Sequence, residues 1–140
     1  MKDLDFVLEL IDPWISKFIS EGSAELSPLE LVGVGIWTLE AEVNNGGFDQ
    51  YYFNSAGELA IQTVSSLEAI GAPNTASLLA AANSEFPSAT PPADRRLRQE
   101  MLEKIRDVAR FGALEQEFYR DEEHLVSRLA SYLKGNAVDD

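Results

Sequence analysis

Carboxylates dominate the chemistry this chain has to offer. Twenty-four Asp and Glu stand against eleven Lys and Arg, a net charge of −13 in 140 residues. Their distribution says more than their sum. After Lys17 the next basic residue is Arg95, and the 77 residues from 18 to 94 carry Glu21, Glu25, Glu30, Glu40, Glu42, Asp49, Glu58, Glu68, Glu85 and Asp94. The rest of the chain sets fourteen acids against all eleven bases, so the middle is a field of one sign between nearly balanced ends. Acid–base or metal chemistry would need such groups to converge. Glu40 and Glu42, two positions apart on a helix, point about 200° away from one another. Glu42, Asp49 and Glu58 could surround a divalent cation, but they lack the spacing of a calcium loop. His124, the one histidine, follows Glu122 and Glu123 with no second histidine or cysteine to complete a zinc site. Ser55 has no glycine-flanked elbow around it. Without cysteine there is no disulfide, thiolate ligand or cysteine nucleophile. The expectation is a chain without catalytic residues, metal or cofactor.

What remains is charge. A one-signed field steers a protein toward a basic partner, and the bland alternative is that it serves solubility and self-repulsion. Direct nucleic-acid binding is disfavoured, because phosphates call for clustered Lys and Arg. Duplex DNA carries a charge about every 1.7 Å of axis, and ten acids in 77 residues are sparse by comparison. Folding, or pairing of two copies in a homodimer, has to gather them on one face.

The elements that must position these groups are helical. Leu4, Val7, Leu8, Ile11, Ile15, Phe18 and Ile19 recur at spacings of three and four, an amphipathic helix from Asp3 to Glu21. Pro13 predicts either a kink or a second helix capped by Asp12. Ser27-Pro28-Leu29-Glu30 has the form of a capping box with proline in the first turn. The helix it starts runs through Val32, Ile36, Trp37, Leu39 and Val43, and Gly33 and Gly35 inside it imply close approach of a neighbour. Further helices are predicted over Glu58–Ile70, with Leu59, Ile61, Val64, Leu67 and Ile70 inward, and over Thr75–Glu85 on Leu78, Leu79 and Ala82. One from Asp94 to about Phe111 follows on a Leu97, Met101, Ile105 and Val108 stripe, with Arg96–Glu100, Glu100–Lys104 and Asp107–Arg110 as ion pairs. Gly112 breaks that pattern. A short element at Leu114–Tyr119 and a last helix from Asp121 to Gly135 complete the chain. Three prolines in residues 86–93 predict an extended surface loop, and 136–140 a frayed tail. No strand-like alternation persists, so the fold class is all-α, a single domain over 1–140 of about six to eight helices. No apolar run nears the roughly 20 residues of a membrane span and no signal peptide opens the chain, which predicts a cytoplasmic protein.

One stretch is unlike the rest: Glu42-Val43-Asn44-Asn45-Gly46-Gly47-Phe48-Asp49-Gln50-Tyr51-Tyr52-Phe53-Asn54-Ser55-Ala56-Gly57-Glu58. Asn45-Gly46-Gly47 reads as a helix stop and a sharp redirection, since glycine takes positive φ without a Cβ clash. Phe48, Tyr51, Tyr52 and Phe53 then spread over more than one face of a short helix. The pattern resembles the signature of an all-helical bacterial domain family whose best-characterised member is a DNA-mimic protein. It rests on Glu42, Val43, Asn45, Gly46, Gly47, Phe48, Gln50, Tyr52, Asn54, Ser55 and Gly57, continues to Ala69-Ile70-Gly71-Ala72, and returns faintly at Glu117-Phe118-Tyr119. The resemblance implies an acidic helical protein that occupies the DNA-binding face of a transcription factor or other basic DNA-binding protein. From charge alone the partner-binding acids are Glu21, Glu25, Glu30, Glu40, Glu42, Asp49, Glu58 and Glu68, and the turn motif is expected to be architectural. The alternative is a helical assembly module that uses the four aromatics as its contact.

Overall fold

The computed structural model describes residues 2–137, and it is helical from end to end. The helices are α1 (Asp3–Glu21), α2 (Pro28–Phe53), α3 (Ala60–Ala69), α4 (Pro73–Asn83), α5 (Arg95–Ile105), α6 (Phe111–Tyr119) and α7 (Leu125–Ala137), with 3₁₀ turns at Ser23–Glu25, Ser55–Leu59 and Pro87–Ala89. No described residue lies in a strand. No helix among them is long and apolar enough to cross a membrane.

The long α2 is the axis on which the others pack: α1, α3, α5, α6 and α7 all touch it, and α1 also lies along α7. One core cluster of buried side chains extends from Val7 to Leu133, so residues on both sides of the proline-rich segment share it. The capping box forms as its residues require. Ser27 Oγ accepts from the Glu30 amide at 3.1 Å and the Glu30 carboxylate accepts from the Ser27 amide at 2.8 Å. Both glycines in the helix seat a neighbour. A Cβ at Gly33 would stand 2.8 Å from the Trp14 ring of α1, and one at Gly35 2.6 Å from Thr63 Oγ1 of α3. Small residues here let three helices approach more closely than any larger side chain would allow.

Several boundaries differ from the periodicity, each for a local reason. α1 runs unbroken through Pro13. Its buried Val7, Ile11 and Phe18 continue one face on both sides of the proline, and that burial keeps the helix whole despite one lost donor. The helix predicted from Glu58 begins as a 3₁₀ turn, and Ile61 is exposed. The 86–93 segment is not wholly extended, because Pro87–Ala89 coils with positive φ at Ser88 and Ala89. α5 stops at Ile105 and Gly112 lies within α6 instead of ending a helix. α7 starts at Leu125, whose amide donates to Asp121 Oδ1 at 3.0 Å. Asn136 and Ala137 continue α7, and the remainder of the expected tail, 138–140, lies outside the described residues.

The largest correction is on α5. Leu97 and Val108 of the predicted stripe are exposed, while Arg98 and Leu102 are fully buried. Arg98 turns the helix, because its guanidinium is consumed by backbone. Nε donates to the Tyr52 carbonyl at 2.7 Å, Nη2 to that of Asn54 at 2.8 Å, and Nη1 to those of Pro92 and Ala93 at 3.0 and 2.9 Å. Burial opposes its charge, and the nearby carboxylates of Glu58 and Asp94 favour it. It also sits where the last carbonyls of α2 concentrate partial negative charge. Gly57 clears the way: a Cβ there would be 2.6 Å from Arg98 Nε.

A second distant residue opens α4. Its N-cap, Ala72, has no side-chain acceptor to offer, so Glu123 serves instead, accepting from the amides of Asn74 at 2.9 Å and Thr75 at 2.7 Å and from the Thr75 hydroxyl at 2.7 Å. Burial alone would push the Glu123 carboxyl up. The Thr75 hydroxyl, the two amides and the charge of Arg128 together outweigh it and hold the group below the ordinary value.

Two predictions follow from these anchors. Arg98→Met should cost about 3–5 kcal/mol in urea unfolding, because it takes the donor from the Tyr52, Pro92 and Ala93 carbonyls and leaves that of Asn54 only the Gly57 amide. Glu123 has a folded pKa below its unfolded one, so its contribution is present above the ordinary glutamate value and lost as pH falls through the folded value. Glu123→Gln should therefore lower stability at pH 7 and flatten the loss of stability below about pH 4.5, measured by urea melts across that range.

Candidate functional site

The family-like stretch forms a break in α2. Gly46 (φ −152°, ψ 17°) and Gly47 (φ 77°, ψ −175°) leave helical geometry, and the chain resumes its coil through Phe53. Gly47 occupies a region open essentially to glycine alone. Such a break exposes backbone groups on both sides, and α6 satisfies them. The Glu115 carboxylate accepts from the Phe48 amide at 2.8 Å, and Tyr119 Oη donates to the Val43 carbonyl at 3.1 Å. A Cβ on Gly47 would collide with that carboxylate, and one on Gly46 with the Gln50 side chain. Phe48 adds ring contacts to Phe111 and Phe118 of α6, with centroids 6.0 and 6.1 Å away.

The polar residues of the motif tie the break from the other side. Glu42 Oε2 accepts from Gln50 Nε2 and from Asn54 Nδ2, both at 2.9 Å, and Asn45 Nδ2 donates to Gln50 Oε1 at 3.3 Å. Tyr52 Oη donates to Asn83 Oδ1 at 2.6 Å, and Asn83 Nδ2 passes the link to the Ala60 carbonyl at 3.1 Å. Ser55 Oγ accepts from Arg95 at 3.2 Å. Tyr51 Oη is buried with no hydrogen-bond partner among the described residues, and burial pushes its pKa upward.

The aromatic cluster is therefore core. Phe48, Tyr51 and Tyr52 are fully buried, and only Phe53 is exposed, at 45%. This removes three of the four rings from any contact surface of the folded chain, because each is already spent on packing.

The eight acids expected to face a partner occupy unlike environments. Glu21, Glu25 and Glu68 are exposed and Glu58 is half-buried. None of the four has a basic side chain within 4.0 Å among the described residues. Glu30 is engaged, with Lys17 Nζ at 3.0 Å. The Ser27 amide, followed by Lys17, lowers its pKa against the opposing effect of burial. Asp49 is held bidentately by Arg106, at 2.9 and 3.0 Å. Glu42 is bound by the two motif amides. Glu40 is half-buried, and burial followed by the charge of Asp121 raises its pKa. The bases of the chain's ends thus reach over the base-free segment: Arg110 likewise meets Glu85 through both its amide and its side chain. Of the ion pairs predicted along α5, Arg96–Glu100 forms at 3.5 Å, while Arg110 leaves Asp107 for Glu85. Among the described residues no three His, Asp or Glu side chains are grouped to hold a metal ion, and Glu42, Asp49 and Glu58 do not make one.

Arg98, Glu115 and Glu123 carry this architecture and gave no periodic signal, since each is a charged residue with at least two of its partners, or for Glu115 its one amide partner, tens of positions away. Tyr119 had one hint, the faint echo of the family pattern at Glu117-Phe118-Tyr119. Gly47→Ala should cost about 1–3 kcal/mol from backbone strain alone. Glu115→Gln should lose less, because an amide oxygen can still accept from Phe48. Paired urea melts give that order.

A groove of about 270 Å³ lies beside the motif, between Ile15, Phe18 and Ile19 of α1 and Glu42, Asn54 and Arg95. A second of similar volume lies between the start of α4 and the α6–α7 turn and is lined by Glu117, Asp121, Glu122 and Glu123.

Comparison with family models matches the DMP19-like protein family over residues 24–136. Comparisons with curated proteins and with solved structures give no match. The matched region holds the whole kinked helix, the segment that docks on it and all but one of the eight singled-out acids. The chain belongs to the DMP19-like protein family, a family of DNA mimics.

Proposed function

We propose that this chain is a non-catalytic binding protein that imitates DNA and occupies the basic DNA-binding surface of a transcription factor or other nucleic-acid-binding protein. Membership of a DNA-mimic family carries the reading. The base-free run from 18 to 94 supports it from the side of the chemistry. Glu21, Glu25, Glu58 and Glu68 are the acids we assign to the contact. With no basic neighbour within ion-pair distance among the described residues, their charge is available to an incoming Lys or Arg. Glu30 and Asp49 contribute less, since Lys17 and Arg106 already offset them. Complementary fields of this kind act first on encounter rate and weaken with salt.

The test is capture from the lysate of the host, with the purified chain as bait. Retention of a DNA-binding protein at low salt, its release at high salt and its displacement by duplex DNA are the expected results. Reversing Glu21, Glu25, Glu58 and Glu68 to Lys together should weaken the captured complex by at least about tenfold, mainly through slower association. A partner that stays bound at high salt and is indifferent to duplex DNA would sink the mimicry reading.

A further inference from the structure

The groove between α1 and the end of α2 carries both signs of charge and an apolar wall, and its features do not serve the acidic contact proposed above. Its negative group is Glu42. Both motif amides donate to the same oxygen, Oε2, which fixes the carboxylate and leaves Oε1 without a donor among the described residues. Its positive group is Arg95, an exposed side chain. Nε, Nη1 and Nη2 reach only neutral acceptors, the Phe53 carbonyl, Ser55 Oγ and Asn54 Oδ1, at 3.3, 3.2 and 3.4 Å. These lie at or beyond the long end of normal hydrogen bonding, and a carboxylate would make shorter and stronger bonds with the same guanidinium. The amide of Asn54 touches both groups, Nδ2 on Glu42 and Oδ1 on Arg95, so one amide and two hydrogen bonds separate the opposite charges. An adjacent ammonium and carboxylate on a single carbon span that gap. Ile15, Phe18 and Ile19 form the wall, and Ile19 is 72% exposed, an apolar surface with nothing covering it. At about 270 Å³ the groove is just below the roughly 300–1,000 Å³ of sites for drug-sized ligands, which restricts an occupant to a small molecule.

We infer that this groove binds a free α-amino acid with an apolar side chain, its ammonium on Glu42, its carboxylate on Arg95 and its side chain against Ile15 and Ile19. A lone cationic side chain would leave Arg95 repelling it, and a simple fatty acid would leave Glu42 doing so. A zwitterion uses both ends.

Calorimetric titration of the full chain with L-leucine tests this, alongside leucinamide, which lacks the carboxylate, and 4-methylpentanoate, which lacks the ammonium. Saturable binding of L-leucine with each analogue at least about tenfold weaker is the expected outcome, as charge-assisted hydrogen bonds require. Arg95→Met should remove most of the leucine affinity while leaving the melting temperature close to that of the parent chain. Glu42→Gln should do the same to binding, and its melting temperature reports any loosening of the α2 break separately. No saturable heat up to about 10 mM L-leucine, equal binding of all three compounds, or unchanged binding by Arg95→Met would each overturn the assignment.

Discussion

A guanidinium shut away from water and bonded to four backbone carbonyls holds this fold at its most exposed point of failure. The end of α2, the turn that follows it and the proline segment before α5 all present carbonyls that no helix ladder can satisfy. Arg98 takes one from the end of α2, one from the turn and two from the proline segment. It thereby fixes how the C-terminal helices return onto the long axis. A planar group with five donors suits this task, whereas an ammonium presents three donors from a single point. The cost of burying the charge is offset by those carbonyls and by the field of the helix end. Gly57 exists for the same reason, since its missing Cβ is the space the guanidinium fills.

The second constraint is the break in α2. A helix interrupted at Gly46 and Gly47 would leave an orphan carbonyl before the break and an orphan amide after it. α6 supplies both partners, Tyr119 for one and Glu115 for the other. The residues that carry the family pattern are consequently those that make, seat or brace the break. Their chemistry is used inside the molecule: the rings in the core, the amides on Glu42, the glycines in backbone that Cβ atoms would obstruct. The likeness thus identifies how the chain folds, while the charge outside the motif bears on what it meets.

Charge and fold are also less separable than the linear sequence implies. The bases of the chain's ends do not stay apart from the acidic middle. Lys17, Arg106 and Arg110 cross to Glu30, Asp49 and Glu85, so the residual negative field is concentrated on fewer acids than the ten counted along the chain. Ion pairs this near the surface contribute little to stability, typically under about 1 kcal/mol each. Their larger effect is to decide which carboxylates remain open to a partner.

Much of this was legible before any coordinates. Apolar spacing predicted about six to eight helices and no strands, and the Ser27 capping box and the Asn-Gly-Gly interruption are local chemistry that neighbouring residues complete. Gly33 and Gly35 announced close helix contact without saying that Trp14 and Thr63 would make it. What periodicity could not reach were features whose partners lie far along the chain. It placed Leu97 inward on α5, and Val108 beyond its end, because apolar side chains prefer burial, yet Arg98 is the side chain buried on α5, drawn in by carbonyls 44 and 46 residues earlier. It spread Phe48, Tyr51, Tyr52 and Phe53 over more than one face without saying which would be inward; packing against Phe86, Phe111 and Phe118 took Phe48 and Tyr52 into the core, Tyr51 lies edge-on to Tyr52 there, and Phe53 stays exposed. By itself the sequence determined helix content, the main stop signals and the one-signed middle, all of them properties of neighbours within a few positions. Only the tertiary structure decided which charges are spent on backbone, which are paired and which stay free, because the energy of a charge depends on what surrounds it in space.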